Sequence, residues 1–352
     1  MSSASPSPHE ATATAASASE TPDAPFADAS ASGASEHEAM ADAVAAEHWR
    51  DAFTRQEIQE LLRMNDLRSW FTLALDWSIV FGAMAMVAIW PNVWTVVLAL
   101  FLIGGRQLGL AVIMHDASHR AFLRNKRVND FVGNWLAAYP VWSDMNGYRA
   151  YHLKHHAHTW TDLDPDKHLA TPFPVTPASF RRKVWRDLSG RTGLKFLRFS
   201  ARRDFGSEGG PLERLRRGLS SPRFRDMLVS NAVLLAVLWL VGHPWLYALW
   251  VGAYLTTNTL VTRIRAIAEH SMSPDPGDPL LQTRTTLAGP LERLFLAPNR
   301  VNYHLEHHLL MTVPHYNLPR MHRMLRERGL LDGALVAKGY AGVLRDATSA
   351  PA

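Results

Sequence analysis

Seventeen histidines are spread along 352 residues, and eight of them fall into three tight clusters. The first is His115-Asp116-Ala117-Ser118-His119 and the second His152-Leu153-Lys154-His155-His156; the third, His304-Leu305-Glu306-His307-His308, repeats the spacing of the second. On a helix, residues at i, i+3 and i+4 share a face, so each cluster predicts a row of imidazoles on one side. Neutral imidazole is a ligand for iron, zinc, copper or nickel, and packing several rings together without a metal leaves many polar nitrogens to satisfy. His270, closing the run Ile264–His270, is a ninth candidate. Eight or nine imidazoles exceed what one ion can take; with positions left open for substrate or dioxygen, they suit two. Zinc accounts for three or four histidines, whereas iron is redox-active and compatible with imidazole, so two irons fit better. The chain has no cysteine, which excludes thiolate zinc sites, iron–sulfur clusters and structural disulfides. Any metal is therefore held by nitrogen and oxygen.

Several neighbours could support these ligands. Asp116 and Glu306 sit inside clusters and are expected to orient ligating imidazoles through the free ring N–H. His158, two residues past the second cluster, is a candidate for the surrounding shell or for ligation, and Asn302 for the surroundings of the third. Asp162, Asp164 and Asp166 follow the second cluster and could serve there too, although Asp-Pro sequences are common turn formers. The zinc-protease signature H-E-x-x-H does not occur, which weakens a rival reading as a histidine-rich zinc membrane hydrolase or sensor.

The elements that must position the clusters are apolar. Trp70–Trp90 carries one charge, Asp76, and Val93–Met114 leads straight into the first cluster; at ~1.5 Å per residue each is long enough for a ~30 Å hydrocarbon core. With the turn Trp90-Pro91-Asn92 they predict a helical hairpin. Met227–Val241 and Trp245–Val261, separated by Gly242-His243-Pro244, predict a second. Phe131–Trp142 is apolar but too short to span and contains Pro140, so an interfacial or re-entrant segment is expected. Residues 48–68 predict an amphipathic helix lying on the membrane or packed in the domain core. Residues 1–47 hold no Lys or Arg, are rich in Ala, Ser and acids, and read as a disordered acidic tail without the features of a signal peptide. Two units follow: the tail, 1–47, and a membrane domain, 48–352.

Two hairpins return the chain to one side, so the three clusters meet on one membrane face. The basic block from Arg181 to Arg225 lies on that face, and a basic segment beside apolar spans marks the cytoplasmic side rather than a nucleic-acid surface. The expected fold is thus an all-α integral membrane protein of four spans, with both termini and a histidine-rich helical cap in the cytoplasm. Within the first hairpin Asp76 and Arg106 lie at similar depth and are expected to pair. Arg263 and Arg265 precede His270 and could meet an anionic group of a substrate, or serve topology alone.

The three boxes, with Thr161-Asp162-Leu163-Asp164-Pro165-Asp166 after the second and Ala297-Pro298-Asn299 before the third, resemble those of the membrane fatty acid desaturase superfamily, over roughly residues 70–330. The resemblance implies a non-haem di-iron centre that uses dioxygen to remove hydrogen from an unactivated lipid carbon, giving an alkene; related members hydroxylate lipids or act on carotenoids. It carries ligand roles onto His115, His119, His152, His155, His156, His304, His307 and His308, and onto His270, which matches a histidine some members place after their last span. Certain acyl desaturases have an asparagine one helical turn before that histidine. Here Ala266 stands there, leaving a water or Asn302 to complete the shell. Electrons must come from a separate reductase and small carrier of ferredoxin, flavodoxin or cytochrome b5 type, since the chain has no cysteine, no G-x-G-x-x-G after a strand and no fused haem module. That carrier is expected to dock on the basic cytoplasmic face.

Overall fold

The computed structural model describes residues 47–275 and 277–351; the tail expected over 1–47 lies outside them apart from Glu47. After a single turn, Glu47–Asp51, helix α1 (Arg55–Leu62) begins with a reciprocal cap: Thr54 Oγ accepts from the Glu57 N–H, and the Glu57 carboxylate from the Thr54 N–H. Its apolar face is buried, with Leu61 packed among Leu305, Leu309, Met321 and Leu325. Of the two sequence expectations for this segment, the domain core is the one realised.

Helices α2 (Asp66–Ile89) and α3 (Val93–Ser118) form the first hairpin, and both are long and apolar enough to cross a membrane. Asn92 starts α3 by accepting from the N–H groups of Trp94 and Thr95. Inward residues such as Val80, Met84, Ile103, Leu110 and Ile113 make the largest core, while Phe71, Leu75, Trp94 and Val97 point outward uncovered. An outward apolar band of this kind is costly in water and suits hydrocarbon.

Residues 131–142 continue a short helix as π-helical turns, Val132–Ala138, and a 3-10 turn, Tyr139–Val141. They pack against α3 and against helices within residues 222–255, and side chains cap the irregular backbone: the Trp77, Asn231 and Trp250 side chains donate to the carbonyls of Leu136, Tyr139 and Pro140. Irregular backbone in an apolar setting is tolerated when its polar groups are paired in this way.

Helix α4 (Met145–His158) carries the second box. The basic block folds as α5 (Pro177–Leu188), α6 (Arg191–Phe205) and α7 (Pro211–Ser220), and α8 (Pro222–Leu240) follows directly. The run expected as one span over Trp245–Val261 is two helices, α9 (Tyr247–Leu255) and α10 (Thr257–His270), broken at Thr256. Two hydroxyls mark the break: Thr256 donates to the Gly252 carbonyl at 2.6 Å, competing with the helix's own ladder, and Thr257 donates across to the Leu100 carbonyl of α3 at 2.5 Å.

The C-terminal part adds β1 (Thr285–Leu287), the short α11 (His304–Leu309), α12 (Leu318–Glu327), β2 (Val336–Lys338) and α13 (Tyr340–Ala347). The fold is therefore mostly helical, and the all-α expectation needs one amendment: β1 and β2 pair in parallel, Thr285 opposite Val336. That pair frames the third box, because Thr286 N–H donates to the carbonyl of Asn302.

Candidate metal centre

Three helices and one short helix bring nine histidines to one place. His115 and His119 end α3, His152, His155 and His156 lie on α4, His270 ends α10, and His304, His307 and His308 occupy α11. They sort into two groups that could each hold a metal ion: His115, His119, His152, His156 and His307 in one, and His155, His270, His304 and His308 in the other.

Spacing within each helix and the placement of α4 against α11 together set the sorting. Each H-x-x-H-H helix gives its i, i+4 pair to one group and its middle histidine to the other, and the two helices do so in opposite senses. Box two sends His152 and His156 to the first group and His155 to the second; box three sends His304 and His308 to the second and His307 to the first. The His115/His119 pair then completes five, and His270 completes four.

The ring nitrogens fit cations rather than one another. His156 Nε2 stands 3.0 Å from both His152 Nε2 and His307 Nε2, and His304 Nε2 stands 2.8 Å from His270 Nε2 and 3.1 Å from His308 Nε2. A ring nitrogen offers one proton or one lone pair, so neither triplet can be satisfied by pairwise hydrogen bonds. His115 Nε2 is likewise buried with no hydrogen-bond partner among the described residues. Burial first, and the mutual repulsion of neighbouring imidazolium charges second, push His152, His156, His307 and His308 well below the ordinary value of 6.5. They are neutral donors at neutral pH, as metal binding requires.

His155 differs. Burial pulls it down, yet the Asp164 carboxylate, 2.7 Å from its Nδ1, and nearby Asp166 outweigh that and leave it raised. Asp164 is itself fixed by the N–H groups of Trp160 and Asp166, both at 2.8 Å. Of the three aspartates in that turn, Asp164 is the one that fixes an imidazole, leaving His155 Nε2 for a metal.

The remaining carboxylates work less directly than expected. Asp116 is 3.2 Å from the Nδ1 of its neighbour His115, but its other oxygen takes both the backbone N–H of His315, at 3.1 Å, and the His315 ring, at 2.7 Å. His315 Nε2 continues to Thr72 of α2 at 3.1 Å. Glu306 orients no box histidine. It accepts from Thr285 of β1 and from His322 Nδ1 of α12, the latter at 2.6 Å, because at i+2 from His304 it faces away from the metal side of α11. His322 and His315 stand outside the boxes, on elements that follow α11, and only the folded chain reveals their roles.

Three further expectations are corrected or narrowed. His158 belongs to neither group. The Asn302 side-chain N–H donates to the Thr286 carbonyl at 2.9 Å, stitching the third box to β1. Arg263 binds Asp187 of α5, and Arg265 binds Glu269 on its own helix at 2.5 Å. Both arginines are thus engaged within the chain. Glu269 places its other oxygen 3.7 Å from His304 Nε2, at the edge of the four-histidine group.

Behind the site, the expected Asp76–Arg106 pair exists at 2.9 Å and reaches further than a pair. The second guanidinium arm donates to the carbonyls of Arg293 and Leu294, while Asn299 donates to the other Asp76 oxygen at 2.7 Å and to the Gly109 carbonyl at 2.9 Å. Close approach is possible because α3 is bare there: a Cβ on Gly109 would stand 2.6 Å from the Asp76 carboxylate, and one on Gly105 2.8 Å from the Phe295 carbonyl. The network ties the segment leading into the third box to α2 and α3.

Two histidine groups that could each hold a metal, set at the end of apolar helices, suit a membrane metalloenzyme, and sequence comparison gives the class. Residues 91–337 match the family Fatty acid desaturase, and the chain belongs to it. It is similar to the dihydrorhizobitoxine desaturase of Bradyrhizobium elkanii, with 26% identity covering 83% of this chain and 84% of that one. It is also similar to an sn-1 oleoyl-lipid 12-desaturase of Picosynechococcus, with 27% identity over 76% and 80% of the two chains. An sn-1 acyl-lipid omega-3 desaturase (ferredoxin) of Nostoc is 23% identical over 74% and 75%. The chain is an enzyme of the fatty acid desaturase type.

Proposed function

We propose that this chain introduces a carbon–carbon double bond into a lipid acyl chain, using two iron ions held by the two histidine groups. The observation that carries the proposal is the five-plus-four division of nine buried histidines, with the i, i+4 pairs and middle histidines of the two boxes exchanged between groups. His115, His119, His152, His156 and His307 would hold one ion, and His155, His270, His304 and His308 the other. When bound, the pair supplies activation of dioxygen and removal of two hydrogens from an unactivated carbon–carbon bond, at the expense of two external electrons per turnover. The chain's own contribution is placement. Asp164 fixes the His155 ring, Asp116 links His115 to His315, and Glu306 ties α11 to α12 and β1.

The domain, 48–352, crosses the bilayer four times in this reading, through α2, α3, α8 and the broken α9–α10 pair, with residues 1–47 as a separate tail. Helix α4 and the arginines of α5 to α7 then lie on the cytoplasmic side. A separate carrier of ferredoxin, flavodoxin or cytochrome b5 type, with its reductase, delivers the electrons; a relative named for ferredoxin supports that choice of class. Mass analysis of lipids from cells with and without the gene tests the reaction. Loss of two hydrogens from an acyl chain is expected. Gain of one oxygen would replace desaturation by hydroxylation, and a zinc-only protein that consumes no dioxygen would remove both.

A further inference from the structure

We propose that α5, α6 and α7 form a platform seated in the headgroup layer of an anionic bilayer, their apolar side chains in the lipid and their arginines on phospholipid phosphates. The proposal rests on the membrane reading above and adds a lipid class to it. On α7, Leu212, Leu215 and Leu219 follow i, i+3, i+7 and are 69%, 48% and 48% exposed. The helix meets the rest of the protein at Gly218, buried against Phe205, whose ring a Cβ would meet at 2.3 Å, and every other residue of α7 is exposed. On α5 and α6, Trp185, Leu188, Leu194 and Phe196 are exposed as well.

The charges around these residues are one-sided. Three of the acids in the block are already engaged: Asp187 by Arg263 and Thr192, Asp204 by Arg223 and Ser221, and Glu213 by Arg217. By contrast Arg181, Arg182, Arg191, Arg198, Arg202 and Arg216 are exposed and make no side-chain hydrogen bond or ion pair among the described residues. Apolar residues flanked by uncompensated arginines on short amphipathic helices are the pattern of an interfacial segment binding anionic lipid.

Connectivity sets the depth. Ser221 ends α7 and caps the first turn of α8, accepting from Phe224 N–H, so Leu219 lies one turn from a helix whose own outward face is apolar at Leu228, Val229 and Val233. Helix α6 meets the end of α9 so closely that a Cβ on Gly193 would stand 2.5 Å from the Leu255 backbone. An acidic electron carrier would match the arginines but not the exposed leucines, which favours the bilayer as occupant.

The absence of cysteine makes the test direct. Leu215→Cys, Leu219→Cys and, on the α8 outer face, Val233→Cys carry spin labels in the full chain, reconstituted in nanodiscs of phosphatidylcholine with or without phosphatidylglycerol. Relaxation by oxygen and by a water-soluble nickel complex reports depth, and Leu212→Cys substitutes for any label that disturbs the helix content. The expected result is that all three labels collide with oxygen and are shielded from nickel. Changing Arg198, Arg202 and Arg216 to Gln should then weaken retention of phosphatidylglycerol, by about fivefold per cation at ~1 kcal/mol each. Nickel-accessible labels on α7 with a lipid-embedded label on α8 overturn the platform and spare the spans; three aqueous labels overturn both. Protection that arises only with an added acidic redox protein, or that vanishes on deleting residues 1–46, assigns the surface to that partner or to the tail. Unchanged phosphatidylglycerol retention in the arginine variants removes the lipid class.

Discussion

Replacing Arg106 by Gln should be among the most damaging single changes outside the histidines. Asp76 is 0% exposed, and the substitution leaves its carboxylate in the core with Asn299 as its remaining donor. Removing one member of a buried pair typically costs about 3–5 kcal/mol, since the other charge stays buried and unpaired. The carbonyls of Arg293 and Leu294 also lose a donor, at about 1–3 kcal/mol for a buried group left unsatisfied. The effects overlap, so a loss of about 3–5 kcal/mol is expected. Asp76→Asn should cost less, because Arg106 keeps its carbonyl partners. The double variant should be more stable than the sum of the singles predicts, by about 1–3 kcal/mol, the range for residues in one network. Equilibrium unfolding in mixed micelles measures all four corners of this cycle. Strict additivity would refute the network, and a destabilised Arg106→Gln protein with unchanged metal affinity would refute its role in holding the third box.

Asp164→Asn should lower metal affinity about 10–100-fold, the usual effect of losing a carboxylate behind a ligating histidine, and competition with a chelator reads it. His315→Ala should act similarly on the five-histidine group through Asp116, whereas His158→Gln should leave metal content unchanged; a reversed order would contradict the geometry. For the metal-free protein, stability should fall on acidification below about pH 6.5. His152, His156, His307 and His308 are held neutral by burial in the fold, while the unfolded chain protonates them near 6.5. The unfolded state then binds more protons, and each such histidine costs up to about 1.4 kcal/mol per pH unit below that point. His155, raised rather than lowered, opposes the trend. Thermal melts of chelated protein between about pH 5 and 8 check the sign.

Much of the site was legible in the sequence because helical spacing is a strong signal. The i, i+3, i+4 pattern placed three imidazoles on one face, and the two apolar runs over 70–114 were readable as the helical hairpin that ends at the first box. The exchange of middle histidines between groups needed the relative placement of α4 and α11, which spacing within one helix cannot carry. His315 and His322 were missed because they reach the site indirectly, through Asp116 and Glu306, from elements outside the boxes. Glu306 was misread because a carboxylate inside a box suggests a local partner, while its helical phase turns it from the histidine side toward Thr285 and His322. Asp76 and Arg106 were readable as a pair, since charges in apolar runs demand partners; the carbonyls and Asn299 that complete the network were not, because backbone acceptors leave no mark in a sequence. The break at Thr256 was hidden by hydropathy, which counts threonine as mildly polar and ignores what its hydroxyl does to a helix.

The central claim is that nine histidines divide five to four around two irons. Metal analysis with Mössbauer spectroscopy of the purified, iron-57-loaded chain tests it most directly. The account predicts two irons per chain in two distinguishable environments, with His155→Ala and His119→Ala each perturbing a different one. One iron per chain, zinc in place of iron, or two irons that respond identically to both substitutions would contradict it.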